Sequence, residues 1–122
     1  MKNAKILVVD DEPGWRDLLA MEFAAEHDVV LAADTQEAQK LMANQAFDVI
    51  ITDVRMPGKM DGIDLIQGYR RKVNPVQKAI FITGYALEEK IQKVLAEGSG
   101  VCLRKPFELD SLRQAVQTLL SI

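Results

Sequence analysis

Four short apolar runs in this chain each lead into a polar residue suited to holding a cation or handling a phosphoryl group. Ile6-Leu7-Val8-Val9 runs into Asp10 and Asp11, and Val49-Ile50-Ile51-Thr52 runs into Asp53. Ala79-Ile80-Phe81-Ile82 runs into Thr83, and Val101-Cys102-Leu103 runs through Arg104 into Lys105-Pro106. If the runs are neighbouring parallel strands, three carboxylates, a hydroxyl and an ammonium share one end of a sheet. Crowded carboxylates either raise a pKa or recruit a cation. Mg2+ prefers oxygen ligands and commonly keeps several waters beside one or two carboxylates, and Glu12 adds to the negative field. Lys105 beside Asp53 would keep a carboxylate ionised and nucleophilic, and Thr83 can donate to phosphoryl oxygens. Phosphoryl transfer demands mainly positioning and charge neutralisation. A carboxylate can act as its nucleophile, forming an aspartyl phosphate.

Those side chains meet only if the elements bring them together. Apolar runs of four or five residues alternate with stretches of helical period, the pattern of βα units around a parallel sheet. Strands are predicted at Lys5–Val9, Asp28–Ala32, Asp48–Thr52, Lys78–Ile82 and Val101–Leu103. Between them, Pro13 suits the first turn of a helix that carries Trp15, Leu19 and Phe23 on one stripe. Asp34 with Glu37 is an acidic capping box opening a second helix with Ala38, Leu41 and Met42. A loop rich in Pro and Gly, Arg55 to Gly62, precedes a third helix bearing Ile63, Ile66 and Tyr69 or Arg70, which ends before Asn74-Pro75. Leu87, Ile91, Val94 and Leu95 mark a fourth helix that Gly98 closes, and Leu112, Ala115, Val116 and Leu119 mark the last. In open α/β sheets, ligands bind beyond the carboxyl ends of the strands, where the polar residues fall.

The 122 residues, 48% hydrophobic and 27% charged, fit one globular domain over 1–122. No apolar stretch approaches the ~20 residues of a membrane span, and the first five residues lead directly into a strand, unlike a signal peptide. A net charge of −3 and a pI of about 5.1 argue against nucleic-acid binding by this domain. One cysteine, Cys102, excludes an intrachain disulfide, and one histidine, His27, excludes a multi-histidine metal site. His27 is expected on the surface at a helix end. A cytoplasmic location fits this composition.

Five pieces, in order and at family-like spacing, resemble the receiver domain of bacterial two-component response regulators over the whole chain. They are Val8-Val9-Asp10-Asp11-Glu12, Ile51 to Pro57, Met60-Asp61-Gly62, Ile82-Thr83-Gly84 and Lys105-Pro106-Phe107. The resemblance implies a flavodoxin-like (βα)5 fold, with five parallel strands in the order 2-1-3-4-5 and helices on both faces. It implies that Asp53 accepts a phosphoryl group from the phosphohistidine of a sensor histidine kinase, or from a histidine phosphotransfer protein. Asp11, Asp53 and the backbone carbonyl of Arg55 would bind Mg2+, with Asp10 acting mostly through a bound water. Thr83 and Lys105 would contact the phosphoryl oxygens, and the Lys105–Pro106 bond would be cis. Phosphorylation would then change binding to a downstream partner or output domain, in a monomer or a weak phosphorylation-dependent dimer. The protein would be a phosphoacceptor that assists its own phosphorylation and dephosphorylation, not a separate enzyme.

Three positions depart from the common family pattern. Cys102 stands where the family usually has an aromatic ring that turns inward, and Tyr85 is a candidate replacement for it. The Met56 to Gly62 loop is one residue longer. Arg55 and Tyr85 flank the phosphoryl position and are candidates for tuning dephosphorylation. Trp15 is expected to be core or half-buried; Asp61 and Asp64 are expected to open a helix. Glu88, Glu89, Lys90 and Lys93 are expected to form a solvated face. The competing readings are a Mg2+-dependent phosphatase or phosphotransferase, a flavin or nucleotide binder, and a receiver-like binding domain not controlled by phosphorylation. Asp10 and Asp11 are adjacent where such phosphatases often space two aspartates by one residue. The Asp-Asp-Glu-Pro-Gly loop lacks the glycine-rich phosphate cradle of a nucleotide binder.

Overall fold

The computed structural model describes residues 4–84 and 89–122. Tyr85, Leu87 and Glu88 lie outside the described residues, and so do the expectations placed on them. Five strands, β1 (Lys5–Val9), β2 (Asp28–Ala32), β3 (Val49–Asp53), β4 (Lys78–Thr83) and β5 (Gly100–Arg104), alternate with five helices. The helices are α1 (Pro13–Ala24), α2 (Thr35–Asn44), α3 (Gly62–Lys72), α4 (Glu89–Ala96) and α5 (Leu109–Leu120). All strand pairs are parallel, in the order β2-β1-β3-β4-β5 expected from the sequence.

The apolar runs lack alternation because both sheet faces are covered. Leu7, Val9, Ile50, Ala79 and Phe81 face one layer, built from α2, α3 and α4. Ile6, Val8, Ile51, Ile80 and Ile82 face the other, built from α1 and α5. Residues two apart on a strand thus enter the same layer, as the pleat requires.

Several boundaries and placements differ from the expectation. β3 runs one residue later, because Asp53 itself pairs with Ile82 and Asp48 is instead used as a side-chain acceptor for the Lys5 amide. β5 is longer, from Gly100 opposite Ala79 to Arg104 opposite Thr83. Gly98 does not close α4 in a left-handed turn. The helix ends at Ala96, and Gly58, at φ 103°, is the sole positive-φ glycine among the described residues. Gly98 is small for another reason, since a Cβ there would lie 3.0 Å from the Arg70 guanidinium carbon. His27 is not on the surface: it is 6% exposed, its ring near that of Phe23 where α1 meets α5.

Capping fixes where helices start. Asp34 accepts from the Glu37 amide at 2.8 Å, and Glu37 reaches back to the amide of Ala33. Asp61 and Asp64 form a reciprocal capping box at the head of α3. Gly62, the first residue of α3, is pressed against the end of β3: a Cβ there would sit 2.1 Å from the Asp53 carbonyl oxygen. Any side chain at 62 would push α3 away from Asp53.

Candidate functional site

The chain reverses its direction of travel across the sheet between β1 and β3, since β2 lies on one side of β1 and β3 on the other. A crevice opens at such a switch point. Asp10 and Asp11 follow β1 and Asp53 ends β3, so all three reach it. Their ligand oxygens lie within 4.8 Å of one another, with Asp10 and Asp53 buried and Asp11 exposed. Among the described residues this is the one group of three or more acids or metal-ligating side chains close enough to share an ion.

Each carboxylate is partly held and partly left wanting. Asp10 accepts the Glu12 amide at 2.9 Å on Oδ1, while its buried Oδ2 has no partner. Burial, with the nearby Asp53 charge adding to it, pushes the Asp10 carboxyl up to about 6, against the lowering effect of the Glu12 N–H and Lys105. Asp53 accepts the Arg55 amide at 3.2 Å on Oδ1 and faces the Lys105 ammonium at 3.4 Å on Oδ2. Burial raises its carboxyl above the ordinary value, and Lys105 and the Arg55 amide oppose that rise. The lysine contact is longer than a charge-assisted hydrogen bond, so Lys105 leaves room on Asp53. A divalent cation would answer both deficits, by taking the unpartnered Asp10 oxygen and by cancelling the mutual repulsion. The donor set is all carboxylate, which suits a hard cation such as Mg2+.

Lys105 is steered by its neighbours. Its amide donates to the Thr83 carbonyl at 2.7 Å, and the Lys105–Pro106 bond is cis. Its ammonium lies 5.6 Å from the centre of the Trp15 ring, which meets Phe107 edge to face at 5.5 Å. Trp15 is therefore half-buried as expected, and it borders the site. Thr83 is 2% exposed at the last position of β4, one strand over from Asp53. The structure thus gathers Asp10, Asp11, Asp53 and Lys105, with Thr83 on the adjoining strand end. Arg55 is exposed, with its amide committed to Asp53. Cys102 is half-buried against the α2–α3–α4 layer, as a strand residue should be, and burial pushes its thiol up.

Other contributors carried no role in the sequence reading. Arg16 donates to the Asp10 carbonyl at 2.7 Å and so fixes the turn that follows β1. Lys90, expected in a solvated face, instead pairs with Asp61 at 2.8 Å and Asp64 at 2.9 Å. Arg70 is buried and donates to three backbone carbonyls, of Gln77, Val94 and Ser99. The available signal for Arg70 was its place on the Ile63/Ile66 stripe, where a cation faces the core.

Known proteins are similar to this chain in sequence and fold. The sequence profile of the response regulator receiver domain matches residues 6–117. The response regulator protein PilR of Pseudomonas aeruginosa is 35% identical over all of this chain, which spans 27% of PilR. Sporulation initiation phosphotransferase F of Bacillus subtilis is 34% identical, with all of this chain and 98% of that protein covered. A response regulator receiver domain protein from Clostridium thermocellum superposes with a TM-score of 0.88 at 27% identity, covering 98% of this chain and 95% of its own.

Proposed function

Since the chain belongs to the response regulator receiver domain family, a family of phosphoryl-accepting signalling domains of two-component systems, we propose that Asp53 is its phosphoacceptor. One observation carries the assignment: Asp53 ends β3 at the switch point with one oxygen facing Lys105 and two further carboxylates within 4.8 Å. The Asp53 oxygen attacks the phosphorus of a phosphohistidine. A P–O bond forms, the P–N bond breaks, and the imidazole leaves with the electron pair. Lys105 keeps Asp53 ionised before attack and pairs with phosphoryl oxygen after it. Thr83 offers a hydroxyl donor to another of those oxygens. Asp10, Asp11, Asp53 and the Arg55 carbonyl would hold Mg2+, which when bound neutralises charge between the carboxylates and the phosphoryl group. Arg55, two residues after the acceptor, would hinder water that attacks the acyl phosphate, and Tyr85, two residues after Thr83 in sequence, is proposed for the same role.

The donor is a sensor histidine kinase or a histidine phosphotransfer protein, consistent with the phosphotransferase name of one relative. The whole chain, 1–122, acts as one receiver unit in the cytoplasm, with phosphorylation altering a downstream contact. It catalyses only its own phosphorylation and dephosphorylation.

The test is direct. Incubation with Mg2+ and acetyl phosphate should add one phosphoryl mass to the intact protein and none to Asp53→Asn. A folded wild-type protein that gains no mass removes the assignment.

A further inference from the structure

Helix α4 is fastened to α3 at both ends, and the two fastenings differ in kind. Near its start, Lys90 bridges Asp61 and Asp64 at the head of α3. Each carboxylate spends one oxygen on the capping box and the other on Lys90: Asp61 Oδ1 takes the Asp64 amide and Oδ2 the ammonium, while Asp64 Oδ2 takes the Asp61 amide and Oδ1 the ammonium. Burial would raise the Asp64 carboxyl, yet hydrogen bonds from Lys90 and Asp61 outweigh it and hold it low; those same carboxylates raise the Lys90 ammonium. The bridge is nonetheless open to water, the Lys90 side chain being 41% exposed. At the other end, Arg70 from the last turn of α3 donates four hydrogen bonds of 2.8–3.1 Å, one to Val94 in α4, one to Ser99 just beyond it and two to Gln77. That clamp is buried.

The exposed fastening lies at the end nearer the acceptor site. Asp61 adjoins Gly62, whose amide donates to the Val54 carbonyl at 3.0 Å and whose Cα rests on the Asp53 carbonyl. The head of α3 is therefore locked to the acceptor strand. The first turn of α4 follows β4, whose last residue is Thr83. Lys90 is thus the fastening tied to the acceptor strand through the head of α3, and a partly exposed ion pair yields more readily than a buried, multiply bonded guanidinium.

Resting on the reading of Asp53 as the phosphoacceptor, we propose that Lys90 is a positioning residue that latches the first turn of α4 onto α3, and that phosphorylation works against this latch while Arg70 holds the far end, so that α4 swings about its C-terminal turn. The latch sets how much of the unphosphorylated protein rests in the inactive arrangement. Removing it should raise the fraction already switched, in the manner of any population shift.

Amide NMR resonances of Ile91 and Val94 report the two ends of α4. They are recorded for wild type, Lys90→Ala, Lys90→Arg and Lys93→Ala, with Mg2+ and increasing beryllofluoride, a tetrahedral phosphoryl mimic. In Lys90→Ala, the resting Ile91 resonance should lie part-way along the line to its mimic-bound position. The apparent beryllofluoride affinity should be about two- to fivefold tighter, the scale of a half-exposed ion pair. Lys90→Arg keeps the charge and should match wild type; so should Lys93→Ala, an exposed cation on the same helix. Unmoved resonances and unchanged affinity in Lys90→Ala overturn the latch. A mimic-induced shift as large at Val94 as at Ile91 overturns the swing. Wild type that binds no beryllofluoride and takes no phosphoryl mass overturns the acceptor reading and this proposal with it; normal uptake with unmoved resonances overturns this proposal alone.

Discussion

Among its described residues this molecule buries charge in two places and treats it in opposite ways. At the carboxyl ends of β1 and β3, Asp10 and Asp53 are enclosed yet under-partnered: one Asp10 oxygen is buried without a hydrogen bond, and Lys105 stands 3.4 Å from Asp53. Beneath the far end of α3, Arg70 is enclosed and fully engaged, its fork spread over three carbonyls. Burying a charge is costly unless its partners replace the lost water. At Arg70 the replacement is complete, so the charge serves the fold. At the aspartates it is incomplete, which suits the cation and phosphoryl site proposed for them. Unequal satisfaction of equally buried charges separates the clamp from the site.

The largest effect that would break the comparison lies at Arg70. Arg70→Ala strips the Gln77 carbonyl of both its guanidinium bonds, takes one bond each from the Val94 and Ser99 carbonyls, which keep the amides of Glu97 and Ala79, and leaves a void beneath Gly98. The unsatisfied Gln77 carbonyl costs about 1–3 kcal/mol and the void adds to it, so a loss of about 3 kcal/mol in urea unfolding is expected. Arg70→Lys should recover only part of it, because an ammonium cannot reproduce the planar fork. The folded fraction of either variant should still gain phosphoryl mass from acetyl phosphate. If stability stays at the wild-type value, the clamp is not the structural charge it is taken to be here.

The aspartates should respond with the opposite sign. Without divalent cation at pH 7, Asp10→Asn removes a repelled, desolvated charge and should raise stability by about 1 kcal/mol, while abolishing the stabilisation that Mg2+ gives the wild type by mass action. The pH dependence follows from the same carboxyl. Its folded value, about 6, lies above its ordinary 3.8. The folded protein therefore binds the proton more tightly, and this contribution is full below about 4 and lost as pH rises through about 6. Metal-free wild type should lose about 1–2 kcal/mol between pH 4.5 and 7, less than the full shift implies because the pocket opens to solvent. Asp10→Asn should flatten that slope, and Mg2+ should raise the wild-type melting temperature at pH 7 more than at pH 5. A melting temperature that rises from pH 4.5 to 7 in metal-free wild type would show that Asp10 is satisfied after all.

The sequence made this half of the comparison readable and left the other half dark. A run such as Val49-Ile50-Ile51-Thr52-Asp53 announces both a strand covered on two faces and the residue that leaves it, so the parallel sheet and the acidic cluster could be anticipated, while the strand order came from the family resemblance. Asp61 and Asp64 were legible as helix openers because capping is local. The Lys90 bridge was not, since its partners lie 29 and 26 positions earlier and only the packing of α3 beside α4 joins them. Arg70 sat on an apolar stripe, but its carbonyl acceptors belong to chain ends whose meeting is tertiary. Gly62 could be matched as part of a familiar piece, yet its reason, contact with the Asp53 carbonyl, needs coordinates.

His27 supplies the smallest effect and the sharpest limit on the comparison. It too is buried, at 6% exposure, and its Nδ1 has no hydrogen-bond partner. It borders a cavity of about 120 Å3 between α1 and α5. By incomplete satisfaction alone, it would be marked as functional. It differs from Asp10 in its surroundings: its near neighbour is the Phe23 ring, 6.2 Å between centres, and among the described residues it belongs to no group of three or more metal-ligating side chains close enough to share an ion. His27→Leu keeps the volume and removes the orphaned nitrogen, so stability should change by less than about 1 kcal/mol in either direction. Phosphoryl uptake from acetyl phosphate and the response to Mg2+ should both stay at wild-type values. If uptake fell while the fold held, an unpartnered buried polar atom would be sufficient by itself to mark function. If it holds, the mark is an unpartnered buried atom together with further carboxylates converging on one point, as at Asp10, Asp11 and Asp53.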